Sequence, residues 1–128
     1  MHNRSVSFIA NVINCYTEYD VPIIGIADAP LEPQQYIIIS QFIDDDESTG
    51  ESIGLQTHLA EQEISAAIDK IYLSRDLLTV MICPDRIAEV GTACVKIDLT
   101  KNGAQWLQLQ KYLHLIFAGS KTLVELAL

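Results

Sequence analysis

The residues able to do chemistry are few in this sequence, and their spacing narrows what they can do. His58 stands close to Glu61 and Glu63, and an imidazole beside carboxylates is a pairing that general acid–base catalysis uses. Cys83 sits in an apolar run, where a thiol would serve as a nucleophile only if its thiolate were favoured. Neither residue has the company that such roles require. No nucleophile elbow, glycine-rich phosphate loop or third orienting group stands near them. A structural histidine and a buried thiol are the simpler readings, so no catalytic residue and no enzymatic activity are expected.

Metal binding fares no better. His2 lies at the terminus and His114 on the flank of a helix, and no set of Cys, His and carboxylate residues has ligand spacing. Cys15, Cys83 and Cys94 are odd in number and lack a CxxC pair, so neither a zinc site nor a disulfide framework is expected. Free thiols, the absence of a leader-like apolar block at the start and the lack of any run of roughly 20 apolar residues lead to the expectation of a soluble, cytoplasmic protein. No cofactor is expected.

Charge is more informative. The chain of 128 residues has a net charge of −9. Eight Lys and Arg, read as spread along the chain, are too few for a phosphate-binding surface. The same balance disfavours an anionic membrane, while a basic protein partner suits it. Carboxylates are densest at Asp44, Asp45, Asp46, Glu47 and Glu51. Such a run is either a solvated loop or a surface that captures cations. Glu61 and Glu63 add to it, and Tyr16 and Tyr19 are amphipathic side chains of the kind found at interface centres, at edges or in cores. These nine residues are the candidate partner-binding set.

The elements that must position them follow from hydrophobic periodicity. Ile68–Leu73 and Leu77–Ile82 alternate on either side of Ser74-Arg75-Asp76 and read as a hairpin. Strands are expected at 6–13, 23–27, 36–43, 53–59 and 94–99, with 14–20 as a polar connection and 60–65 as a loop or helical turn. Pro84 to Gly91 reads as a short helical turn stopped by Gly91. Gly103 to Ala118 is a helix by the spacing of Trp106, Leu109, Leu113, Ile116 and Phe117, with Asn102 as N-cap. The fold expected is a single α+β domain spanning 1–128. It has a mainly antiparallel sheet of about six strands, and the helix lies across one face, against Ile71, Leu73 and Val80. Residues 119–128 form an apolar tail.

Several stretches resemble the immunity protein 10 family: Gly25-Ile26-Ala27-Asp28, Tyr36-Ile37-Ile38-Ile39-Ser40-Gln41, the acidic run, Gly54-Leu55-Gln56-Thr57-His58, the hairpin from Ile68 to Leu78, and the closing helix ending in Ile116-Phe117. The likeness spans roughly Phe8 to Phe117. The tyrosine and glycines usual before that hairpin are replaced here by Ser65-Ala66-Ala67, and the aromatic usual near His58 is missing. The resemblance implies a cytoplasmic antidote that binds a cognate secreted toxin domain one to one as a monomer. The expected target is a basic nuclease of a polymorphic-toxin or contact-dependent growth-inhibition system, its active site covered. It transfers no binding residue by position. The alternative class is an acidic secretion chaperone of the type III kind, which would dimerise and offer apolar surface, such as the tail at 123–128, to an effector.

Overall fold

Among the described residues the alternating runs pair into ten strands. A computed structural model describes residues 5–41, 53–60, 62–118 and 122–126. In chain order the strands are β1 (Ser5–Ile9), β2 (Val12–Glu18), β3 (Val21–Ala27), β4 (Tyr36–Gln41), β5 (Ile53–Thr57), β6 (Ile64–Ser65), β7 (Ile68–Leu73), β8 (Leu77–Ile82), β9 (Cys94–Asp98) and β10 (Leu123–Leu126). The helices are a short α1 (Ile87–Val90) and α2 (Trp106–Phe117). The architecture is α+β as expected, with the strands divided between two sheets. The first has the order β1-β9-β8-β7-β10, and the second the order β2-β3-β4-β5-β6. The second is antiparallel throughout, whereas the first has parallel pairs at both edges, β1 with β9 and β10 with β7.

Two corners carry the chain from one sheet to the other, and they explain why one expected strand became two. The alternation from Val6 to Ile13 runs on through Ala10 and Asn11, but the hydrogen bonding changes partner there. Ala10 N donates to Asp98 O in the first sheet at 2.9 Å, and Asn11 N donates to Ala27 O in the second at 2.9 Å. The expected polar connection at 14–20 is instead mostly strand β2. At the second corner Ala66 N donates to Ile53 O, and Cys83 N donates to Ala67 O at 2.8 Å. Backbone groups at both corners stay paired, as buried amides must be.

The β7–β8 hairpin stands where its alternation places it, with Ile71 opposite Val80 and Leu73 opposite Leu78. Pro84–Arg86 is a 3-10 turn leading into α1, and Gly91 ends that helix with φ 96°. A side chain at position 91 would be strained at this φ and would press on Leu59 Cβ at 3.2 Å. The tail docks as β10, and Val124 and Leu126 pack on the core. No helix among the described residues is long and apolar enough to cross a membrane.

Helix α2 starts later than its spacing suggests and faces a different sheet. Thr100–Gln105 is 3-10, with a break at Asn102 (φ −131°, ψ 41°). Asn102 is no N-cap; its side-chain amide donates to Ala10 O at 2.6 Å, pinning the first corner. The apolar stripe is the expected one, Trp106, Leu109, Leu113, Ile116 and Phe117, all buried. The helix lies closest to β3, and then to β2, β4 and β10, rather than across the hairpin. Gln108 Nε2 reaches Cys15 O at 3.4 Å, and the Tyr112 and Thr17 hydroxyls lie 3.1 Å apart. Both sheets and the stripe share one buried cluster that includes Ile24, Ile39, Leu73, Val80 and Leu113.

Candidate protein-binding surface

Burying Ile24, Ile26, Ile37, Ile39 and Leu55 against the helix and the first sheet turns the alternate residues of the second sheet outward. The cross-strand registers place them in rows: Val12, Ala27 and Tyr36; then Asn14, Gly25, Ile38 and Gln56; then Tyr16 and Ile23, a row that continues into buried Ser40 and Gly54. Glu18 continues the β2 side, opposite Val21. An outward antiparallel face usually carries polar residues. This one is largely apolar, and over Gly25 it is hollowed into an open groove of about 370 Å³ walled by Tyr16, Tyr36 and Pro33. The outer side of the first sheet is mixed, with exposed Lys70 and Lys96 beside exposed Ile9, Tyr72 and Leu77.

Of the candidate set, the structure brings Tyr16 and Glu63 to this face. Tyr16 is 38% exposed on the groove wall. Glu63 accepts a hydrogen bond from Ser40 Oγ at 3.0 Å, in the row that runs through Ile23 to Tyr16. Tyr19 is 90% exposed at the β2–β3 tip. Tyr19 and Asp20 both have positive φ (51° and 65°), the arrangement of a two-residue type I′ hairpin turn, which Asn-Gly ordinarily supplies. Asp44, Asp45, Asp46, Glu47, Glu51 and Glu61 lie outside the described residues.

Electrostatics separate the two halves of the chain. The eight cations are not spread evenly: residues 5–69, which contain the whole second sheet, hold twelve of the seventeen carboxylates and no Lys or Arg. That stretch has a formal charge of −12, and the remainder of the chain +3. Among the described residues the one ion pair is Arg86 with Glu89, at 2.9 Å and outside the acidic stretch. The Asp28 carboxylate is committed locally, accepting from the Gln34 and Gln35 amides at 3.1 and 3.2 Å.

His58 and Cys83 are the groups with catalytic potential. His58 Nδ1 accepts from Tyr36 N at 3.2 Å, and its ring meets Tyr36 edge-on. Burial, and then the neighbouring Asp69 and Asp85, push the Cys83 thiol up, away from the thiolate a nucleophile needs. Burial raises Cys15 to about 11 and also raises Cys94. No three His, Cys, Asp or Glu residues among those described cluster as metal ligands.

Sequence reasoning missed Gly25, Ile23, Ile38 and Tyr36 as surface residues. The signal was present in the doubly apolar β3 and β4, which reads equally well as burial on both faces. The gap in Lys and Arg is visible in the sequence, but its meaning depends on knowing which strands share a sheet. No protein-family model matches the chain and no curated protein matches it; the likeness to immunity protein 10 rests on the residues that carry it.

Proposed function

We propose that this chain is an immunity-type protein that binds a cationic secreted toxin domain, of nuclease class, and neutralises it by covering the cleft that would hold its anionic substrate. The observation that carries this reading is the charge division: a sheet whose whole stretch of chain lacks Lys and Arg is matched to a basic surface. Long-range attraction of that kind steers encounter and rejects like-charged partners. The run at Asp44, Asp45, Asp46, Glu47 and Glu51 falls between β4 and β5 in the chain, within that stretch, and Glu61, Glu63, Tyr16 and Tyr19 complete the proposed contact set. Neutralisation by occlusion requires no catalytic residue. A secretion chaperone would dimerise and offer apolar surface to an unfolded client; the pairing of β10 with β7 places Leu123–Leu126 in the first sheet. A sizing column separates the two readings, a monomer supporting the antidote and an obligate dimer the chaperone.

The test starts at the neighbouring reading frame. The expected finding is an exoprotein with a variable, basic C-terminal domain whose toxicity is abolished when this chain is co-expressed, through a one-to-one complex. Undiminished toxicity, or no such frame, contradicts the proposal.

A further inference from the structure

We propose that the groove over Gly25 seats an apolar or aromatic side chain of a cationic protein partner, with the partner's flanking Lys and Arg set against Glu18 and Glu63. This deepens the proposed function, on which the identity of that partner as a toxin domain rests.

Gly25 is the first argument. It lies mid-strand in β3, paired on both sides, with Asn14 and Ile38. Its φ is not positive, and the nearest atom to a Cβ built there is Asn14 O at 3.8 Å. Neither backbone nor neighbours therefore require glycine. A glycine inside a strand sacrifices stability and packing, and commonly marks close approach by another molecule. Here its missing side chain is the floor of the groove.

The walls are the second argument. Apolar and aromatic residues surround a hollow at the small end of ligand clefts, a size suited to an anchoring side chain rather than to a whole helix. Tyrosines are frequent at interface centres, where the partner's approach excludes water around the anchor. The third argument is charge complementarity. Glu18 shares the face, Glu63 is held beside it through Ser40, and no Lys or Arg stands anywhere in residues 5–69. An apolar hollow on a face that carries Glu18 and Glu63 matches a hydrophobic residue flanked by cations.

Amide NMR on the 15N-labelled chain tests this with three capped pentapeptides: Lys-Lys-Trp-Lys-Lys, Lys-Lys-Ala-Lys-Lys and Glu-Glu-Trp-Glu-Glu. The first should shift the Tyr16, Gly25 and Ile38 amides, at least about tenfold more tightly than the alanine peptide, as burial of an aromatic side chain implies. The acidic peptide should not bind. Gly25→Val should fill the hollow and abolish these shifts in a protein that melts no lower. Tyr16→Ser, at a partly exposed wall, should weaken them independently. Equal binding of the Trp and Ala peptides, shifts located on the first sheet, or retention of the groove shifts in folded Gly25→Val would overturn the proposal. So would concentration-dependent shifts of the same amides without peptide, which would make a second copy the occupant. Toxin neutralisation surviving Gly25→Val overturns the groove and spares the immunity reading. Groove capture by a chain that neutralises no toxin overturns the immunity reading and spares the groove.

Discussion

Trp106 Nε1 donates to the backbone carbonyl of Ser74 at 2.8 Å, joining the start of α2 to the turn of the β7–β8 hairpin. Arg75 stacks over the same indole, 5.0 Å from its centre. The hairpin and helix therefore meet at the turn, while the body of the helix lies on the second sheet. Trp106→Phe keeps the apolar ring and removes the donor, leaving the Ser74 carbonyl without this partner. A loss of about 1–2 kcal/mol in urea unfolding is expected. A loss below about 0.3 kcal/mol would show that the bond contributes nothing net.

Leu113 is fully buried midway along the helix. Leu113→Ala should cost roughly 2–5 kcal/mol, through lost burial and the cavity left behind. A change under about 0.5 kcal/mol would mean the stripe does not form the core.

Elements built from uninterrupted alternation were legible: the hairpin with Ile71, Leu73 and Val80, the helix stripe, and the stop at Gly91. What escaped were the places where two elements share one pattern. Val6 to Ile13 keeps its alternation across Ala10 and Asn11, so period alone cannot reveal a change of sheet. Strand β2 carries Asn14, Tyr16 and Glu18 outward and has no Asn-Gly after it, so it resembled a polar connection. Asn102 looked like a cap because its type suits one, yet the corner at Ala10 claimed its side chain. In the candidate site the carboxylates were legible by density. The groove was not, because it depends on which residues of β2, β3 and β4 share a row.

Ala66 holds φ 55° at the second corner, within the stretch where the immunity protein 10 resemblance leads one to expect glycines. An L-residue there is strained by about 1–2 kcal/mol, and glycine relieves this at some entropic cost. Ala66→Gly should therefore stabilise by a few tenths to about 1 kcal/mol. A lower melting temperature would contradict the strain.

The buried thiols set an alkaline limit. Cys15 is raised to about 11 in the folded chain by burial, above the ordinary thiol value. Below that ordinary value both states hold the proton and the stabilisation is fully present. As pH rises from there toward 11 the unfolded chain loses its proton first, so stability falls. Cys15→Ala should flatten this alkaline decline in unfolding measured from pH 8 to 11. An unchanged slope would remove Cys15 as its source.

The central claim is that carboxylates of the acidic stretch draw in a cationic partner. The most direct measurement is the association rate of the toxin domain with this chain against ionic strength, for the natural protein and for Asp44→Asn, Asp45→Asn, Asp46→Asn combined. The natural protein should associate faster than the roughly 10⁵–10⁶ M⁻¹s⁻¹ of neutral pairs. It should slow markedly as the Debye length shrinks from about 10 Å at 0.1 M to about 3 Å at 1 M. The triple substitution should lower the rate and flatten its salt dependence in a protein that stays folded, since Asn keeps the size and polarity of Asp and removes only its charge. An association rate and salt slope identical in the two proteins would contradict the account.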